Sequence, residues 1–180
     1  PTAQWTATAS GCCILGRQRD GPYITHVTCG RTMDLGIKDV NNMGAAMAPA
    51  AYDTLAALFR ETDTKPEEYD LIVTGDLGEL GHDIVVDFFR EDGLDLGERY
   101  TDCGLLLYDR EEQDMHAGAS GCGCSAAVLN GYLLGGLRAG RWNKIIFAPT
   151  GALLSPTSSF QGESIPGICH AVVISAGKEN

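Results

Sequence analysis

The chain of 180 residues contains no run of about 18 or more apolar residues, so no membrane-spanning helix is expected. Basic residues are scarce, with 13 Lys and Arg against 24 Asp and Glu and a formal net charge of −11. Phosphate contacts need clustered Lys and Arg, so this balance argues against a nucleic-acid partner and disfavours anionic lipid. A local anion site built from backbone amides is still compatible with it. No C-x-x-C pair occurs among the seven cysteines and the four histidines are scattered, so no metal site is expected. Cys12, Cys13, Cys29, Cys103, Cys122, Cys124 and Cys169 are an odd set, read mainly as small core hydrophobes in a reduced, cytosol-like compartment. A basic segment followed by an apolar one is missing after Pro1, so no signal peptide is expected; a start at proline points to a processed or shortened chain. Internal repeats and low-complexity stretches are absent too.

What is present organises itself around Ala117–Ser125 (AGASGCGCS), which runs straight into the helix-like Ala126-Ala127-Val128-Leu129. Small residues allow close backbone approach. The unpaired N–H groups of a helix's first turn favour negative charge. One reading makes this turn half of a pocket wall for a carboxylate; the other makes it only a tight packing point for a buried helix. Cys122 and Cys124 lie two apart at the same helix start, where a thiolate is favoured.

Gln4–Leu15 (QWTATASGCCIL) and Tyr23–Met33 (YITHVTCGRTM) lean to strand, and Arg19-Asp20-Gly21-Pro22 between them predicts a hairpin-like pair. His26 is read as a strand residue. Asp39–Asn42 caps a predicted helix over Met43–Arg60, with Ala51, Leu55, Leu58 and Phe59 on one face. Pro49 belongs in a first turn or at a kink, and Met43 and Met47 are read as core. Leu71–Val73 predicts a buried parallel strand opening into Thr74-Gly75-Asp76. Open α/β sheets bind ligands at that carboxyl edge. Leu80–Arg90 is the next helix, with Ile84, Val85, Phe88 and Phe89 inward and Gly93 as its stop. Asp102–Tyr108 reads as strand-like or buried extended chain, and Asp109–Asp114 as a solvated charge run. The helix opened by the small-residue turn runs to about Arg138. Lys144–Ala148 and Gly167–Ser175 are further strands, and His170 within the latter is read as core or sheet face. The order βαβα, buried segment, αββ defines an α/β layered domain over 1–180.

Asp70–Gly78 (DLIVTGDLG), Asp102–Tyr108 (DCGLLLY), Gly118–Ser125 (GASGCGCS), Thr150–Pro156 (TGALLSP), Met33–Ala51 (MDLGIKDVNNMGAAMAPAA) and Glu163–Val173 (ESIPGICHAVV) resemble the stage V sporulation protein AD family over nearly the whole chain. One departure is Cys122, where the family's Gly-Ala-Ser-Gly-Pro-Gly-Cys-Ser has proline. The resemblance implies a thiolase-like fold of two layered α/β halves, each with a five-stranded mixed sheet. This chain resembles the C-terminal half alone. It also implies a role in spore formation: binding dipicolinic acid, with or without calcium, and moving it into the developing spore together with other proteins of the same operon. The place implied is cytoplasmic, at the periphery of the spore inner membrane.

Condensing enzymes of that fold use a nucleophilic cysteine from the other half, with a histidine after the second strand of this one. Here Thr74-Gly75-Asp76 holds neither His nor Asn, Ala119-Ser120-Gly121 precedes the later helix, and His82 is placed on a helix surface. A distant His116 or His170 could still fold towards Cys122 or Cys124. The expectation is a non-catalytic domain without cofactor. Its site is Ser120, Gly121, Gly123 and Ser125 at the helix start, with Thr74, Asp76 and Thr150 shaping the rim. Asp76 stands out because it would repel an anion unless calcium or a proton intervenes. The alternatives are a thioester-dependent acyltransferase and a scaffold docking other sporulation proteins. An uncovered apolar face would pair with a second copy, or with the missing N-terminal half.

Overall fold

The computed structural model describes residues 2–17 and 21–177. Its elements in chain order are β1 (Trp5–Thr6), β2 (Tyr23–Thr28), α1 (Met43–Thr62), β3 (Leu71–Thr74), α2 (Gly78–Glu91), β4 (Tyr100–Asp102), α3 (Cys103–Leu106) and β5 (Ala119–Ser120). There follow α4 (Cys124–Val128), α5 (Leu134–Arg138), β6 (Lys144–Ala148), β7 (Thr150–Ala152), α6 (Pro156–Phe160), β8 (Gly167–Cys169) and β9 (Ala171–Ser175). A π-helical stretch, Leu129–Leu133, joins α4 to α5 without a break.

The central sheet is mixed and five-stranded, in the order β2-β9-β6-β3-β4. Strand β3 runs parallel to β4 and β6, whereas β9 is antiparallel to β6 and β2. Alternation along the strands sends neighbouring side chains to opposite faces. Ile72, Ile146 and Val173 pack with Leu55, Leu58, Val85 and Phe89 of α1 and α2. On the other face Val73, Ile145, Phe147 and Ile174 meet Val128, Leu133 and Leu137. Helices therefore cover both sides of the sheet, the layered α/β arrangement expected. At roughly 1.5–3 kcal/mol for each fully buried Leu or Phe, these two clusters are the main drive to fold.

Local chemistry sets the helix ends. The Asn42 side chain accepts from Ala45 N–H, and α1 closes on Asp63 in the left-handed conformation. Pro49 is buried in the body of α1 rather than in its first turn. Helix α2 stops at Glu91, and Gly93, at φ 76°, turns the chain away.

Three expectations are corrected. Trp5–Thr6 does not form a hairpin with Tyr23–Thr28; it pairs in parallel with Ala119–Ser120, and Tyr23–Thr28 pairs with β9. Arg19 and Asp20 of the expected turn lie outside the described residues. Turn chemistry is local, whereas the Gln4 side chain holds β1 against a carbonyl 115 residues away, at Ala119. Second, the expected extended segment Asp102–Tyr108 leaves the strand at once: Asp102 ends β4, and its side chain accepts from Gly104 N–H and turns the chain into α3. Third, the last strand breaks at His170, which is exposed and accepts a hydrogen bond from Gly30 N–H at 3.1 Å. Residues before the break pair with β7, and those after it enter the central sheet.

Candidate functional site

Parallel strands β3 and β6 end side by side, so Gly75-Asp76 and Pro149-Thr150 emerge together at the carboxyl edge of the sheet. The turn after β5 arrives beside them. Between these segments and α1 lies a cavity of about 550 Å³, a volume suited to a small organic ligand. Met43 and Met47 of α1, together with Phe147, Leu129 and Pro149, supply apolar wall. Asp76, Ser120, Ser125 and Thr150 supply polar atoms.

Asp76, Ser120 and Thr150 belong to one hydrogen-bond network. Asp76 Oδ2 accepts from the Gly121 N–H at 2.9 Å and from the Ser120 hydroxyl at 3.3 Å. Asp76 Oδ1 accepts from the Thr150 hydroxyl at 3.3 Å. Gln4 Nε2 donates to the Asp76 carbonyl and to that of Ala119, fastening the loop to β5. A side chain at Gly75 would strike Thr150 N at 2.5 Å and the Ser125 hydroxyl at 3.1 Å, so both come close to this loop. Burial raises the Asp76 carboxyl above its usual range, against the lowering effect of the Gly121, Ser120 and Thr150 donors.

Five of the seven residues singled out in the sequence thus line one cavity: Asp76, Ser120, Gly121, Ser125 and Thr150. Thr74 does not reach it. It is fully buried and donates to Asp102 Oδ2 at 2.8 Å. Gly123 does not line it either, because its Cα faces the N-terminal segment, where a Cβ would stand 2.1 Å from the Ala9 carbonyl oxygen. Its part is to let residues 9–13 lie along α4. That segment brings Gly11 and Cys13 to the cavity, a contribution that local patterning cannot register.

Behind the cavity lies a second carboxylate missed in the sequence reading. Asp102 is fully buried and accepts from Thr74 Oγ1, Leu77 N–H (3.1 Å), Gly78 N–H (3.1 Å) and Gly104 N–H (2.8 Å). Burial pushes its carboxyl up to about 6 despite those donors. Aspartate at a strand end two residues before glycine is a cap signal that points to it. The Tyr100 hydroxyl lies 3.1 Å from Thr74 Oγ1, and the Tyr100 ring is stacked by His82 at 4.6 Å, so His82 packs against the domain instead of standing free on α2.

Thiol chemistry departs from expectation. Cys124, at the first position of α4, is buried, and burial pushes its thiol up to about 12, so the helix start does not yield a thiolate there. Cys103 is raised further, again by burial first. Cys122 is exposed and lines the cavity with Cys13, whose Sγ donates to Asn130 Oδ1 at 3.0 Å. Among the described residues no histidine lines this cavity; His170 lines a neighbouring one of about 740 Å³, with Ile14, Leu15, Ile24 and Val27.

Fold and cavity define a class: a layered α/β domain with a ligand-sized hollow at the carboxyl edge of a mixed sheet. Over residues 1–175 the chain matches the stage V sporulation protein AD family, and it belongs to that family. Stage V sporulation protein AD of Bacillus subtilis (strain 168) is 45% identical over 172 residues, covering 96% of this chain and 51% of the relative. The chain therefore spans about half the length of the curated relative it matches. The family is named for sporulation, not for an enzymatic activity. Among the described residues no helix is long and apolar enough to cross a membrane.

Proposed function

We propose that this chain forms part of the dipicolinic acid site of a thiolase-like sporulation protein and that it binds this ligand without transforming it. The supporting observation is the cavity itself, a hollow of about 550 Å³ lined by Met43, Met47 and Phe147 and by the hydroxyl-bearing Ser120, Ser125 and Thr150. A pyridine dicarboxylate needs that division: apolar contact for the ring, donors for the carboxylates. Ser125 and Thr150 are the side-chain donors, and Ser120 with Gly121 completes the polar end. Catalysis is not part of the reading, because among the described residues no histidine lines the cavity with Cys122 and burial raises the Cys124 thiol to about 12.

Covering surface belongs to the same proposal. Ile14, Leu15, Ile24 and Val27 are exposed beside the cavity, with Ile14 at 97%. Apolar side chains grouped in this way mark an interface. The other half of a full-length family protein is the fitting cover, and a second copy of the chain is its substitute. Transport of the ligand alongside other proteins of the operon, from the cytoplasmic side of the spore inner membrane, is the cellular setting that goes with this reading.

Isothermal titration of dipicolinate into the full-length protein tests the site. Saturable heat is expected, weakened about tenfold or more when Ser125→Ala and Thr150→Val are combined, since each removes a donor to a charged group. Absence of heat with folded protein overturns the reading. A covalent mass increase at Cys122 after incubation with acyl-CoA would instead favour the acyltransferase.

A further inference from the structure

Asp76 already stands where a guest carboxylate would bind. Its two oxygens occupy the Gly121 N–H and the Ser120 and Thr150 hydroxyls, which are donors a dicarboxylate would seek. The residue is 9% exposed and lines the cavity. Among the described residues no Lys, Arg or His lines that cavity. The titratable groups packed around the Asp76 loop are Asp102 at the end of β4, Cys103 of α3 and Cys124 of α4, with Cys13 and Cys122 on the cavity wall. None of these supplies positive charge. Two carboxylates confined together in such a place cannot both stay ionised unless something neutralises one of them.

On the reading that this cavity takes a dicarboxylate, we infer that Asp76 decides which protonation state of the site accepts the ligand: the guest carboxylate enters against a neutral Asp76, and each binding event takes up one proton from solvent. When ionised, Asp76 is the resident acceptor of the cradle. On accepting a proton at Oδ it becomes a donor, and the Gly121, Ser120 and Thr150 donors are released to the incoming carboxylate. The proton comes from bulk buffer and returns there on release. Burial favours this exchange, because it already disposes the group towards its neutral form. A metal ion or a basic side chain brought from outside this chain could cancel the charge instead, and it would do so without a proton.

The experiment separates these outcomes. Dipicolinate is titrated into the full-length protein in metal-free buffers that differ in ionisation enthalpy, from about pH 6 to about pH 8. Close to one proton should be taken up per ligand at the alkaline end, and Kd should rise about tenfold per pH unit there. Asp76→Asn should abolish the uptake, flatten the pH profile and bind more tightly than the parent at about pH 8. Binding by the parent with no proton uptake overturns the inference and spares the dipicolinate reading. Proton uptake that persists in Asp76→Asn overturns it as well. No heat in any buffer overturns both. Should Asp76→Asn fail to fold, the proton count on the unmodified protein decides alone.

Discussion

Asp102 and Asp76 both gather donors near the end of β3, yet they sit in different corners. The Asp102 corner is sealed: four donors from β3, α2 and α3 converge on a carboxylate with no exposure. The Asp76 corner is open on one side to a cavity, and its three donors are Ser120 at the end of β5, Gly121 in the turn after it and Thr150. The sealed arrangement holds secondary-structure ends together, since an amide deprived of that oxygen has no water to turn to. The open one holds its donors in a geometry that another acceptor can use. Identical functional groups form a sealed staple in one place and face an open cavity in the other, and access to solvent makes the difference.

Four changes test that contrast. Asp102→Ala should have the largest effect, about 3 kcal/mol or more in urea denaturation, because several buried donors lose their acceptor together. A loss under about 1 kcal/mol would remove the distinction between the corners. Gly123→Ala should cost about 1–3 kcal/mol, since its Cβ would meet the Ala9 carbonyl at 2.1 Å. Faster proteolysis between Ala7 and Leu15 would show that the segment flanking the open corner has lifted. Asp76→Asn should move stability by less than about 1 kcal/mol without ligand, as relief from burying a charge offsets the weaker acceptor.

The pH dependence supplies a fourth test. The folded Asp102 carboxyl is raised from 3.8 to about 6, so across that window the folded state holds more proton than the unfolded one. Its contribution to stability therefore falls as pH rises from about 4 to about 6. Denaturation at a series of pH values should show that slope, and Asp102→Asn should flatten it. An unchanged slope would assign the effect to other groups.

Helices α1 and α2 were legible because their apolar residues recur at helical spacing and their ends carry Asn42 and Gly93. The same holds for β3 and β6, short apolar runs closed by Thr-Gly-Asp and Pro-Thr-Gly. Five of the chosen residues came to one cavity because strand ends and a small-residue turn are local features that parallel pairing gathers at one edge. Thr74 was misplaced because alternation is fixed only by the sheet: one residue earlier than the loop, it points at Asp102 instead of the hollow. Gly123 went the same way, its smallness needed by the Ala9 segment on the opposite side.

Spacing and residue type, which act within a few positions, were enough to specify an α/β chain, its principal helices, the buried strands and a small-residue turn feeding a helix. Pairing β1 with β5, splitting the last strand at His170 and bringing Gly11 and Cys13 to the cavity depended on contacts between segments distant in the chain. Burial decided the charges: desolvation raised Asp76, Asp102 and Cys124, and a group's distance from water is known only once the layers have closed around it.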